Sequence, residues 1–175
     1  DMDGDGDVDV LSASRDDDKI SWYENDGQQN FTEHVISTSA NLAQIVYAED
    51  VDGDGDMDVL SASAADDTIA WYENDGSENF TEHIISNSVD GASYVYALDV
   101  DVDGDVDVLS AGNQDDTIAW YENDGQENFT KHIISNNADF ANSLYARDLD
   151  GDGDIDVLSA SSIDNKLAWY ENDGQ

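Results

Sequence analysis

Between residues 43 and 91, short runs of apolar, β-prone residues alternate with polar turns, and no stretch keeps a helical period. Val46-Tyr47-Ala48 leads into an acidic loop that opens at Asp50. Val59-Leu60-Ser61-Ala62-Ser63 follows, with small and apolar residues on both faces. That pattern belongs to a strand covered on both sides, because a half-exposed strand alternates apolar with charged residues. After a turn at 64–68 come a third strand at 69–74, the hairpin signal Asp75-Gly76, and a fourth strand at 80–85. Residues 86–91 cross to the next unit, and there is no proline anywhere in the chain.

The unit recurs with a period of 49 residues and without insertion. Trp22, Trp71, Trp120 and Trp169 keep this spacing, as do Tyr47, Tyr96 and Tyr145, and His34, His83 and His132. A repeat of this length decides the architecture. Four short antiparallel strands per repeat predict an all-β fold, a β-propeller of four-stranded blades. Residues 1–175 read as a single repeat domain of about three and a half blades. The units are about 1–42 (without its first strand), 43–91, 92–140 and 141–175 (without its last). An open β-solenoid is the second architecture, disfavoured because solenoid coils are usually shorter. Both ends cut through a unit, so the chain is expected to be a fragment of something longer or one part of an assembly. Further chain or a second copy would then close the ring.

Charge narrows the partners. The chain carries 43 acidic and 5 basic residues, a formal charge of −38. Nucleic acid and anionic membrane surfaces need Lys and Arg, so both are excluded as partners. Disorder, another reading of such a charge, conflicts with the regular apolar positions and with 4 Trp, 8 Tyr and 4 Phe. There is no cysteine, hence no disulfide and no thiolate metal site. No apolar run is long enough for a transmembrane helix, so membrane insertion is not expected.

Twenty of the acidic residues lie in four loops of the form D-x-D-x-D-G-D-x-D. The first holds Asp1, Asp3, Asp5, Asp7 and Asp9; the second Asp50, Asp52, Asp54, Asp56 and Asp58. The third holds Asp99, Asp101, Asp103, Asp105 and Asp107; the fourth Asp148, Asp150, Asp152, Asp154 and Asp156. Alternate carboxylates around one glycine suit a hard cation that takes six to eight oxygens, calcium above magnesium, and zinc would want His or Cys. One Ca²⁺ per repeat, up to four, is the cofactor expected. An EF-hand is excluded, because Ser12, Ser61, Ser110 and Ser159 stand where its closing glutamate would be. The third loop carries Val102 where the others have Gly4, Gly53 and Gly151, so that site is expected to be strained or weaker.

Asp50-Val51-Asp52-Gly53-Asp54-Gly55-Asp56-Met57-Asp58-Val59-Leu60 resembles the FG-GAP/VCBS-type repeat, the calcium-loop blade of integrin-α-like propellers. The resemblance covers essentially the whole chain. It implies that the loop joins the first and second strands of a blade. It also implies side-chain ligands at loop positions 1, 3, 5 and 9, with a backbone carbonyl at 7. Leu-Ser-Ala stands where the family's Gly-Ala-Pro would be, which moves the likeness to the bacterial VCBS-like branch. The function it implies is a secreted or cell-surface bacterial module for recognition or adhesion, binding a glycan or protein. A purely structural calcium-stabilised spacer is the alternative, and a propeller-type polysaccharide lyase a more distant one. No nucleophile motif or catalytic dyad stands out, so no enzymatic activity is expected.

The copies match at the metal loop and at the Asp-Gly hairpin. They diverge at 15–19, 64–68, 113–117 and 162–166, and at the crossovers. In a meander these divergent segments share one end of the blade. Loops of varied sequence on a rigid scaffold suit recognition, although neutral drift in exposed loops produces the same pattern. Arg15, Leu42, Tyr94, Phe140 and Arg147 are the candidate ligand-binding residues. The histidines fall on the outermost strand, where hydrogen bonding at the blade edge is the expected role. Asn30, Asn79 and Asn128 head Asn-Phe-Thr sequons, which here read as hairpin chemistry.

Overall fold

The computed structural model describes residues 1–174, and those residues form fourteen β-strands and no helix. The first sheet holds β1 (Val10–Ser14), β2 (Lys19–Asn25) and β3 (Phe31–Ser37). The second holds β4 (Ala43–Glu49), β5 (Asp58–Ser63), β6 (Thr68–Asn74) and β7 (Phe80–Ser86). The third holds β8 (Ala92–Leu98), β9 (Asp107–Gly112), β10 (Thr117–Asn123) and β11 (Phe129–Ser135). The fourth holds β12 (Ala141–Arg147), β13 (Asp156–Ser161) and β14 (Lys166–Tyr170). Within each sheet, every strand pairs antiparallel with its neighbour in sequence. The all-β propeller of about three and a half blades read from the sequence is the fold observed.

Every residue of β5 and of β9 is buried, and the Ser and Ala side chains explain how. They fill little space, so a sheet can be covered closely on both faces. Three apolar layers then lie between successive sheets. Trp22 packs in one cluster with Val59, Ala70 and Tyr72 of the second sheet. Trp71 packs with Val108, Ala119 and Tyr121 of the third, and Trp120 with Val157 and Tyr170 of the fourth. In every layer one sheet contributes the tryptophan and the next contributes the tyrosine. The innermost strands also meet, with Tyr47 and Tyr96 ring centroids 4.9 Å apart and those of Tyr96 and Tyr145 6.0 Å apart.

Two bulges recur in register. Ala43 pairs with Ser63 but Ile45 with Ala62, and β8 and β12 repeat the slip against β9 and β13. A second slip falls between Ile69 and Ala70 against β7, and again in the first and third sheets. One extra residue bends the strand and increases its twist, which suits sheets that fan around an axis.

The crossovers are clamped between turns of successive sheets. The Leu42 amide donates to Asp18 Oδ1 at 2.9 Å, Gly91 to Asp67 at 3.0 Å and Phe140 to Asp116 at 3.1 Å. The carbonyls of the same three residues accept the amides of Ala64, Asn113 and Ser162 in the next sheet. These aspartates recur every 49 residues, each after a second recurring aspartate (Asp17, Asp66, Asp115), in a turn whose first two residues diverge. That recurrence was the available signal that the turn holds a structural residue.

Candidate metal centres and the divergent loop face

The loop at 50–58 joins β4 to β5, the first and second strands of the sheet. Its own carboxylates shape it. Asp50 Oδ2 accepts the Gly55 amide at 3.1 Å, Asp52 Oδ1 the Asp54 amide at 3.1 Å and Asp54 Oδ1 the Asp56 amide at 2.9 Å. Gly55 turns the chain at φ 101°, a conformation that a side chain rarely permits.

Asp58 closes the loop from inside. It is fully buried, and both carboxylate oxygens accept backbone amides: Val51 at 2.9 Å and Asn74 at 2.8 Å. Asp107 repeats this with Val100 and Asn123, and Asp156 with Leu149 and Asn172. Asp9 does so with Met2 and Asn25. Burial pushes the carboxyls of Asp58 and Asp107 up to about 6, against the opposing pull of those amides. Burial also raises Asp52 and Asp101, and neighbouring aspartates add to the rise.

The structure gathers carboxylates in each loop, but not all five. Asp50, Asp52 and Asp58 offer oxygens within 4.8 Å of one another. So do Asp99, Asp101 and Asp107, then Asp148, Asp150 and Asp156, and in the first loop Asp1, Asp3 and Asp5. Asp9, Asp54, Asp103 and Asp152 stand outside these groups. Asp7, Asp56, Asp105 and Asp154 point elsewhere. Their carboxylates occupy the space a side chain would need at Gly27, Gly76, Gly125 and Gly174 of the adjoining hairpins. The Asp-Gly hairpin therefore needs glycine both for its positive φ and for the loop aspartate lying against it.

These groups fit a hard cation. Asp50 Oδ1 is buried and has no hydrogen-bond partner. Carboxylates at such spacing repel by roughly 3–4 kcal/mol per pair at an effective dielectric near 20. The donors are all oxygen, the set that calcium takes.

At the other end, Leu42 and Phe140 share a repeat position with Gly91, and all three have positive φ: 54°, 59° and 64°. A side chain there costs about 1–2 kcal/mol. Phe140 is nonetheless partly exposed, Arg15 is exposed in the β1–β2 turn, and Tyr94 lies half-buried near the start of β8. Arg147 does not join them. It ends β12 and immediately precedes Asp148, so it sits at the metal end, a full strand away from Phe140. This corrects its grouping with the divergent loops.

The histidines meet the blade edge as expected. His83 stacks on Trp71 with centroids 4.6 Å apart, and its Nε2 lies 2.7 Å from Glu73. His34 and His132 repeat the arrangement with Trp22 and Glu24, and with Trp120 and Glu122. The sequon asparagines serve the hairpins. Asn79 Nδ2 donates to Asp75, 3.0 Å from its Oδ2, and that bond helps hold the Asp75 carboxyl below its usual range.

The family model for FG-GAP-like repeats matches residues 1–61, 50–110 and 99–159. No curated protein matches the chain. Among solved structures, the chain is similar to an Agrocybe aegerita lectin described for specific recognition of non-reducing terminal N-acetylglucosamine. The TM-score is 0.56 at 17% identity, over 87% of this chain and 47% of the lectin, so the chain spans about half that protein's length.

Proposed function

Because the chain belongs to the FG-GAP-like repeat family, we propose that it is a calcium-stabilised recognition module. In this reading it works outside a bacterial cell and takes a glycan or a protein on the loops opposite its metal loops. It binds and does not catalyse.

The observation that carries the reading is the crossover position shared by Leu42, Gly91 and Phe140. Its backbone conformation favours glycine, yet two of the three copies keep a large apolar side chain there. Leu42 is half-buried and Phe140 exposed, and strain retained at the exposed Phe140 points to function. The likeness to a lectin is a likeness of fold, and it makes terminal N-acetylglucosamine the first ligand to try.

Calcium would be held by Asp50, Asp52 and Asp58, by their counterparts in the third and fourth loops, and by Asp1, Asp3 and Asp5 in the first. When bound it neutralises carboxylates that otherwise repel one another, and so stabilises the fold by mass action. The chain's own residues do the rest: Asp58 fixes the loop to β6 through Asn74, and the crossovers display the variable side chains.

The test is a glycan array and cell-surface pull-down in calcium, repeated with Phe140→Ala. Binding that Phe140→Ala abolishes, with melting unchanged, supports the reading. Calcium-dependent melting without any binding leaves the spacer role and overturns recognition. Melting that ignores both calcium and chelator removes the calcium assignment.

A further inference from the structure

Two buried indole N–H groups are left without a partner at one repeat position. Trp71 is 1% exposed, yet among the described residues its Nε1 finds no hydrogen-bond acceptor. Trp120 Nε1, one unit later, is buried and unpartnered in the same way. A buried tryptophan N–H ordinarily finds an acceptor, and two orphans in register are a property of the repeat. Packing in the apolar layers explains the rings and not their N–H groups.

The metal groups lie beside these rings. Leu60 pairs with Trp71 across β5 and β6, so Asp58, two residues before Leu60, projects from the same face of the sheet, diagonal to Trp71. Val51, which stands between Asp50 and Asp52, packs in the same cluster as Trp71. Trp120 lines a hollow with Asp101, a member of the third group. Burial raises the Asp58 and Asp107 carboxyls, and the Trp71 and Trp120 N–H groups are among the donors that oppose the rise. The histidines do not compete for this role, because His83 stacks on the Trp71 face and turns its Nε2 to Glu73, as His132 does with Trp120 and Glu122. Asp58 has acceptor capacity to spare. Each of its oxygens takes one backbone amide, and a carboxylate has about four lone-pair sites.

We infer that Trp71 and Trp120 are positioning residues of the second and third metal groups, each holding its N–H for the carboxylate that closes the loop. In the calcium-loaded site Trp71 donates to Asp58 and Trp120 to Asp107. Each bond orients a carboxylate that the backbone amides already hold from the other side. A hydrogen-bond donor behind a ligating carboxylate fixes its direction and adds to metal affinity. The inference rests on the calcium reading of the loops. It gives the recurring tryptophan a part in binding as well as in packing.

Replacing Trp71 by 3-benzothienylalanine tests it. This isostere keeps the shape of the ring and puts sulfur where Nε1–H stood, so packing is preserved and the donor is lost. Calcium titration followed by NMR reads the second site at the Gly55 amide and the third at Gly104, since these amides donate to Asp50 and Asp99. Affinity at the second site should fall about tenfold, with the third site unchanged and melting in chelator no lower than in the wild type. In the wild-type chain, the Trp71 and Trp120 indole N–H signals should move downfield together with the two glycine amides as calcium is added. Equal calcium affinity at the second site with and without the N–H overturns the inference and leaves the calcium reading standing. So do indole signals that stay in place while the glycine amides move. Calcium that moves neither the amides nor the melting temperature overturns both.

Discussion

Asp58 Oδ1 accepts the backbone amide of Asn74 at 2.8 Å, joining the end of a metal loop to the hairpin sixteen residues downstream. The same carboxylate holds Val51 through its other oxygen. Asp58 is therefore a structural acceptor as well as a metal-group member, whereas Asp52 accepts only the exposed Asp54 amide within its own loop, a bond that an asparagine can keep.

Asp58→Ala leaves two inward-facing amides without partners, at about 1–3 kcal/mol each. The melting temperature should fall in chelator, and fall further in calcium, where a member of the metal group is lost as well. Asp52→Asn should weaken the calcium-induced rise in melting temperature and leave the chelated protein unchanged or slightly more stable, since one repelling charge is gone. Thermal melts of both variants under both conditions check this. A loss at Asp58 seen only in calcium would contradict it.

The pH dependence of the metal-free chain follows from the raised carboxyls of Asp58 and Asp107. Folded, they titrate at about 6; unfolded, at about 3.9. A carboxyl raised in this way favours the folded state fully below the unfolded value, and that contribution is lost as pH rises through about 6. Urea midpoints in chelator should be higher at about pH 5 than at about pH 7. Calcium needs the ionised groups, so its affinity should run the other way and grow with pH. Calorimetric titration at both values measures the second trend.

Val102 sits in the third loop at φ 64° with its side chain 63% exposed. A β-branched residue in that region is an outlier. Val102→Gly should stabilise the chain by about 1 kcal/mol and tighten the third site toward the others. Site-resolved calcium titration by NMR would show a fall in affinity if the valine instead helps the site.

Leu42, Gly91 and Phe140 give substitutions of opposite sign at one repeat position. Phe140→Gly should raise stability by up to about 1 kcal/mol by removing strain, while costing ligand binding. Gly91→Leu should destabilise. Its Cβ would collide with Asn113 Oδ1 and come within 2.8 Å of Gln114 Cγ, so the neighbouring turn must move. Chemical denaturation of the pair measures both, and equal signs would refute the account.

The period, the strands and the carboxylate groups were legible because they recur as residue types at fixed spacing. The tryptophan and tyrosine of each layer were legible as packing residues, since they also recur every 49 residues. Pairings between sheets were not. The bond from Leu42 to Asp18 spans 24 residues, and only the folded chain brings them together. The orientation of Asp56 was equally hidden, because it depends on a hairpin twenty residues away in which Gly76 makes room. Arg147 was misplaced for a simple reason of length. The first strand of each unit read as a short run around Val46–Ala48, whereas β4 extends over Ala43–Glu49. Seven residues at about 3.3 Å each separate the two ends of the blade, so a residue just before the acidic loop belongs to the metal end.

The clamp formed by Asp18, Leu42 and Ala64 reaches from one sheet to the next and no further, and it recurs through Asp67, Gly91 and Asn113. Each joint is thus complete in the residues of two adjoining units. Copying or deleting one unit of 49 residues would reproduce the same joint at the new seam, with no compensating change elsewhere. Sequence can drift in the side chains around that clamp while unit number changes by recombination, and the two kinds of variation need not interfere.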